Sequence, residues 1–275
     1  MGFGRAVAAA AIGIIGLGTL AACDWNATES YSDSNGVGQS FTSVRFANDS
    51  GSITIRSGDS AKVKREVHYR DEKPSEDTYR VRDGVLQVDS CDRPDCWIDY
   101  EITVPEGTTV SGQLDSGAAH IAGVAEVNMR SSSGEVDISD VEGEVNVEAS
   151  SGSVNLSNIG GAVVAKAESG TVRADDVRGD VTLQASSGSV EARGIGGATH
   201  VEADSGQVVV ELTVAEDVRV DADSGSVEVA VPDGSYQVTT SSDSGSVSSE
   251  IDNDAAGDHK LDLHTDSGSI DVTRT

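Results

Sequence analysis

The dipeptide Ser-Gly recurs through the second half of this sequence at a nearly constant spacing. Successive serines lie 17, 18, 18, 18, 18, 19, 20 and 23 residues apart, starting at Ser116-Gly117 and ending at Ser267-Gly268. A second glycine series is also spaced by 18 residues and divides each unit into halves of nine; its members are Gly143, Gly161, Gly179 and Gly197. A fixed short period with turn residues at both breaks indicates a solenoid, in which each repeat forms one coil.

The residues between the breaks predict β-strands. Apolar residues, many of them β-branched, alternate with polar ones after each break, as in Val154-x-Leu156 and Val163-x-Ala165. Alternation with a period of two marks a strand with one buried face, and no helical period follows the first 23 residues. The sequence therefore predicts an all-β fold, a β-solenoid (β-helix-like) of about 18-residue coils with two parallel strands per coil, regular over residues 116–275.

Composition limits the core and the partners. Aromatic residues make up only 4% of the chain, which favours a thin core of Val, Ala, Leu and Ile. The net charge of −28 makes nucleic acid and anionic lipid headgroups poor partners for the body of the protein, and we expect no nucleic-acid partner.

The N-terminus has the pattern of an export signal. Arg5 precedes an apolar run over residues 6–20, and the sequence Leu20-Ala21-Ala22-Cys23 resembles the lipobox of bacterial lipoproteins. This resemblance implies that residues 1–22 are a lipoprotein signal peptide and that Cys23 is acylated, which would anchor the protein to the outer side of the bacterial cell membrane. An ordinary secretory signal is the alternative. Residues 23–40 are polar and predict a flexible tether.

Residues 41–115 alternate less regularly and contain most of the larger apolar side chains, so we expect irregular coils that also cap the solenoid. Cys91 and Cys96 are the only cysteines besides Cys23. In an exported protein, a disulfide between them is expected. A zinc site is not, because two cysteines without a nearby histidine provide too few ligands.

The repeat pattern resembles that of a known family. Blocks of the form Gly-Ser-Val-x-Val, separated by Ile-Gly-Gly-x-Val and preceded by the Ile102–Gly107 turn, are similar to the DUF4097 β-strand-repeat family of candidate adhesins. The similarity covers residues 41–275. It implies a bacterial protein that is secreted or attached to the membrane, and it brings no catalytic residues.

Residues that could support chemistry are scattered. The five histidines fall on different coils, and there is neither a nucleophile elbow nor a phosphate loop. The residue before Ser-Gly forms one acidic column toward the C-terminus, consisting of Asp204, Asp223, Asp243 and Asp266. These aspartates either cap the turns or, as the weaker alternative, bind calcium; no other cofactor is expected.

The sequence thus predicts a non-enzymatic cell-envelope lipoprotein whose β-solenoid surface serves adhesion or binding of an envelope or extracellular protein or glycan. Two alternatives remain open at this stage, namely a polysaccharide-active β-helix enzyme of the envelope and a calcium-stabilised spacer. The last strand, over residues 268–272, has no visible cap, so end-to-end self-association through its edge is also expected to be possible.

Overall fold

The computed structural model describes residues 28–75 and 77–275. The predicted signal peptide 1–22 and the predicted lipid-attachment residue Cys23 lie outside the described residues. The described residues contain no helix and form these strands: β1 (Glu29–Gly36), β2 (Ser43–Asn48), β3 (Ile53–Ser57), β4 (Lys62–Tyr69), β5 (Tyr79–Arg82), β6 (Val85–Val88), β7 (Cys96–Val104), β8 (Thr109–Leu114), β9 (Ala118–Ala122), β10 (Glu126–Ser131), β11 (Glu135–Val141), β12 (Val145–Ser151), β13 (Ser153–Ile159), β14 (Val163–Ser169), β15 (Val172–Val177), β16 (Val181–Ser187), β17 (Val190–Ile195), β18 (Thr199–Ser205), β19 (Val208–Leu212), β20 (Val218–Ser224), β21 (Val227–Val231), β22 (Tyr236–Ser244), β23 (Val247–Ser249), β24 (His259–Ser267) and β25 (Ile270–Arg274).

The strands form two long sheets that face each other across the core. Sheet A has the strand order β1-β4-β7-β3-β9-β11-β13-β15-β17-β19-β21-β25-β23, and sheet B has the order β22-β24-β20-β18-β16-β14-β12-β10-β8-β2-β6-β5. Each regular coil contributes one strand to each sheet. Val127, Val145, Val163 and Val181 are direct parallel partners in sheet B and lie 18 residues apart, so the predicted β-solenoid of two parallel strands per coil is confirmed.

One glycine column allows the coils to stack this closely. A Cβ atom on Gly170 would overlap the carbonyl oxygen of Gly152, and the same overlap with the neighbouring coil recurs along the whole column. Gly170 also has a φ of 125°, a conformation that L side chains rarely adopt. The stacking order of this column is Gly51, Gly117, Gly134, Gly152, Gly170, Gly188, Gly206, Gly225, Gly268 and Gly245.

At the opposite corner of the coil, Asp and Asn residues adopt the left-handed backbone conformation. Asp140, Asn158 and Asp176 have φ values of 56°, 53° and 56°, in the left-handed region where Asp and Asn are the best-tolerated residues after glycine. Each is followed by a buried apolar residue that closes the edge of the core: Val141, Ile159 and Val177. Asn158 donates a hydrogen bond of 2.6 Å to Asp140 Oδ1 in the neighbouring coil, so this turn also stacks in register.

The predicted flexible tether is wrong for residues 29–36. These residues form β1, which pairs antiparallel with β4 at the edge of sheet A. Glu29 accepts a 2.9 Å hydrogen bond from the Tyr69 hydroxyl, and Asn35 donates one of 3.1 Å to the Tyr79 hydroxyl. Because β1 is fixed mainly by polar contacts, the absence of hydrophobic alternation concealed it.

The N-terminal cap is built around a buried cation. Arg65 is only 4% exposed, forms an ion pair of 2.8 Å with Asp33 of β1, and donates a 2.6 Å hydrogen bond to Thr78. Burial raises the pKa of the nearby Tyr100, whose hydroxyl also bonds to Thr78 at 2.7 Å. Burying a charge is tolerable only when it is paired and hydrogen-bonded. This arrangement therefore explains why β1 docks onto the solenoid end.

The C-terminal coils are stacked out of chain order. β25 pairs with β21 on one side and with β23 on the other, so the last strand is internal. The prediction of an open edge at residues 268–272 is therefore wrong, and β22 and β23 form the end instead. Three inward positions of this end coil are occupied by the polar residues Thr240, Ser242 and Ser249, which suits an end that faces water, whereas the inward positions Val238 and Val247 remain apolar.

The glycine column gives the first test. Replacing Gly170 with alanine should lower the free energy of unfolding by about 3 kcal/mol or more, because the new methyl group meets the backbone of the adjacent coil and cannot move away. Urea denaturation measures this loss. Gly38→Ala is the matched control, since a Cβ atom at this position would meet no atom within 4 Å and a change within about 0.5 kcal/mol is expected. Equal effects of the two substitutions would contradict the stacking.

Candidate binding groove and outer faces

A long groove runs along the outer side of sheet B, across β8 to β18, with a volume of about 460 Å³. The groove exists because the last inward position of these strands holds small residues. Ala149, Ala167 and Ala185 form the floor, together with Ser131 at one end. Larger side chains on either side form the two walls, so the groove follows the direction in which the coils stack.

One wall of the groove is a column of long polar side chains that point outward from the sheet B strands. Arg130 and Glu148 form an ion pair of 2.7 Å, and this contact lowers the pKa of the Glu148 carboxyl. Farther along, Gln184 donates a 2.6 Å hydrogen bond to Glu202. Lys166 lies between these pairs and has no carboxylate within 4 Å among the described residues. The wall therefore offers both donors and acceptors to a ligand.

The other wall of the groove is formed by the residues that come directly before the Ser-Gly turns. It consists of Ser132, Ser150, Glu168, Ser186 and Asp204, all of which are exposed. No hydrogen bond within residues 28–75 and 77–275 involves the Glu168 or Asp204 carboxylate. The corner thus presents a ladder of hydroxyl and carboxylate groups, one per coil, that is open to solvent.

The outer face of sheet A carries a ladder of ion pairs. His120 lies 2.9 Å from Asp137, which accepts a 2.7 Å hydrogen bond from Asn155 in the next coil. Farther along, Glu191 pairs with Arg173 and Arg193, and the hydrogen bond from Arg173 is the main cause of its lowered pKa. Opposite charges on neighbouring strands stabilise the pairing, which gives this face a structural role.

One carboxyl in this ladder has a raised pKa. Burial raises the pKa of Asp175, and the charges of Arg173 and Arg193 only partly oppose the shift. General acid–base chemistry on a glycosidic bond would need two carboxyl groups with different pKa values on either side of the bond.

The predicted aspartate column exists, but its order differs from the chain order. The residues stack as Asp204, Asp223, Asp266 and Asp243, and all four are exposed. Asp266 contacts His264 at 3.0 Å. No group of three or more His, Cys, Asp or Glu side chains that could hold a metal ion occurs in the described ranges.

In two of the turns, the serine of the Ser-Gly dipeptide forms the capping hydrogen bond that was predicted for the aspartate column. Ser116 and Ser133, the serines of Ser-Gly turns, donate hydrogen bonds of 3.0 and 3.1 Å to the backbone carbonyls of Asp49 and Asp115 in the adjacent coils. The side chains of Asp204, Asp223 and Asp243 make no hydrogen bond within the part of the chain that the structure describes.

The structure joins Cys91 and Cys96 by a disulfide, with their Cα atoms 5.9 Å apart. The next residue, Trp97, departs from the expectation that the large apolar side chains of residues 41–115 fill the cap. It lies on the outward side of β7 and belongs neither to the core nor to the partly buried residues packed against it. Its place after the inward Cys96 in an alternating strand is the sequence signal for this orientation.

The Toastrack DUF4097 family model matches residues 41–273, which is nearly the whole solenoid. The chain belongs to the Toastrack DUF4097 family. No curated protein matches the chain. No helix among the described residues has the length and hydrophobicity needed to span a membrane.

Solved structures with a similar arrangement are described as candidate adhesion proteins. One from Bacteroides fragilis is 14% identical, with a TM-score of 0.42, and the match covers 90% of this chain and 97% of that one. One from Clostridium sporogenes is 12% identical, with a TM-score of 0.23 and coverage of 90% and 100%. One from Parabacteroides distasonis is 11% identical, with a TM-score of 0.28 and coverage of 88% and 97%.

Proposed function

We propose that this Toastrack protein is a non-enzymatic lipoprotein of the cell envelope that binds an elongated ligand, an envelope or extracellular glycan or protein segment, along its solenoid. The groove on sheet B is the observation that supports this proposal. It crosses six strands in the stacking direction, and the four central strands each contribute the same three positions. A small substrate would need convergent groups in an enclosed pocket, whereas this groove offers a repeated row of contacts.

The chemistry of the groove suits binding better than cleavage. Two of its wall carboxylates are already engaged, Glu148 by Arg130 and Glu202 by Gln184. Asp175, whose pKa is raised by burial, belongs to sheet A and does not line the groove. Hydroxyls, one amine and carboxylates along the walls can exchange hydrogen bonds with a polar polymer in both directions.

Membrane attachment through acylated Cys23 belongs to the same proposal. Because β1 begins at Glu29, only the residues from 24 to 28 would separate the lipid from the folded body. A chain of this length spans at most about 20 Å. The N-terminal cap would therefore be held close to the membrane, without the longer tether over residues 23–40 that the sequence predicts.

The anchor is tested by replacing Cys23 with alanine. The variant should lose incorporation of radiolabelled fatty acid and should move from the membrane fraction to the soluble or secreted fraction, because the acylated sulfur is absent. Cys91→Ala combined with Cys96→Ala is the control and should stay in the membrane fraction. A Cys23→Ala protein that remains labelled and membrane-bound would refute lipid attachment at this residue.

The groove is tested by filling it. Ser150→Trp places a large side chain on an exposed corner position of the groove without touching the core, and it should weaken binding of purified protein to intact cells and isolated envelope polysaccharide at least tenfold. Ser157→Trp puts the same side chain at an exposed position of sheet A and should leave binding unchanged. Absence of binding by the wild type would reject the binding function. Equal binding by the two variants would reject the groove.

A further inference from the structure

We propose that Trp97 forms a separate recognition site for a saccharide ring on the outer face of sheet A, at the capped end of the solenoid. The residues that build it are Trp97, His68, Asp99 and Ser52. It is distinct from the groove, which lies on sheet B and begins at β8. This proposal is therefore independent of the groove. An experiment that rejects the Trp97 site does not affect the groove proposal, and an experiment that rejects the groove does not affect the Trp97 site.

Trp97 is an exception among the aromatic residues of the described chain. Five of them (Phe41, Phe46, Tyr69, Tyr100 and Tyr236) are buried, and two others, Tyr31 and Tyr79, pack against the core from the cap. Trp97 is partly exposed and packs against neither group. Its indole N–H makes no hydrogen bond within the described residues. A large apolar ring with an unused donor on a sheet surface is therefore not explained by the packing of the fold.

One face of the indole stacks on a neighbouring ring, and no second ring or cation covers the other face among the described residues. The ring of His68, the cross-strand partner of Trp97 on β4, stacks on it with a centroid distance of 4.9 Å and an interplanar angle of 10°. On the other side, the adjacent chain is the Ser50-Gly51-Ser52 turn that leads into β3, which has only small side chains. A flat ligand could stack on the indole face that points away from His68.

The polar groups beside the indole are held in place by the backbone. Asp99 Oδ1 accepts hydrogen bonds of 2.7 Å from both the backbone N–H and the hydroxyl of Ser52, and its Oδ2 lies 3.2 Å from His68 Nε2. The Asp99 side chain is still 39% exposed, so free lone pairs of the carboxylate can reach a ligand. Glu66 lies 3.8 Å from the same histidine nitrogen and completes the edge.

This combination favours a sugar over the other ligands that bind an aromatic face. The C–H groups of a pyranose ring stack on an indole, while its hydroxyls bond to a carboxylate acceptor and an N–H donor. A cation would also be attracted to the ring. However, the Asp99 charge is already shared by two donors from Ser52 and by His68, which reduces its attraction for a cation. A neutral or N-acetylated saccharide is therefore the ligand class that fits.

Tryptophan fluorescence tests the site directly, because the chain has only two tryptophans. In the Trp25→Phe protein, purified from cells as the full chain, Trp97 is the sole reporter. Cellohexaose, maltohexaose, mannohexaose and N-acetylchitohexaose are titrated up to about 10 mM, a range that detects even millimolar affinity. At least one should shift the emission to shorter wavelength with saturation. Tetramethylammonium chloride should not.

Variants then assign the binding to these residues by calorimetry with the active hexasaccharide. Trp97→Ala and Asp99→Asn should each weaken binding at least tenfold, with unchanged circular dichroism because neither side chain belongs to the core. Thr103→Ala, on the same face of β7, is the control and should bind as the wild type does. The proposal is overturned if no hexasaccharide binds, if tetramethylammonium alone gives the shift, or if Trp97→Ala binds as tightly as the wild type.

Discussion

The whole rod depends on the contact between glycines in successive Ser-Gly turns. At nine steps of the column, a Cβ atom would overlap the carbonyl oxygen of the preceding glycine, so the turns approach more closely than any other residue allows. This approach sets the coil spacing at that corner and lets both sheets keep a parallel register over many coils. The opposite corner achieves the same stacking with Asp and Asn in the left-handed conformation, because their short polar side chains tolerate it and can bond to each other.

A coil this narrow cannot contain large side chains, and the surface follows from that limit. The last inward position of the sheet B strands holds alanine, which fits into the space beside the glycine turn. Because this side chain is small, the surface beside it is recessed and forms the groove. Larger aromatic residues are confined to the ends, where Tyr100 and Arg65 close the N-terminal cap and Tyr236 closes the other side. Trp97 fits neither place. The groove and the indole are therefore surface features that the packing of the rod does not itself require.

The regular part of the fold could be predicted because each coil repeats the same local signals, such as the glycine turn and the alternation around Val163 and Val181. The ends could not. The spacing of Ser244 and Ser267 says that two more coils exist but not which one packs against Ser224, because both have the same strand pattern. β1 was missed since its contacts are between polar groups, as in the pair of Asp33 and Arg65. The groove was missed because alanine in a strand indicates only burial.

Engineered disulfides between the Ser-Gly serines test the stacking order most directly. The structure makes Ser224 and Ser267 direct partners, and it separates Ser224 from Ser244 by one intervening strand. Neighbouring strands lie about 4.8 Å apart, within the Cα separation that a disulfide needs, whereas a two-strand separation of about 10 Å exceeds it. The account predicts that Ser224→Cys with Ser267→Cys is oxidised to a disulfide in the folded protein, as mass spectrometry of its peptides would show. A bond between Ser224→Cys and Ser244→Cys instead would contradict it.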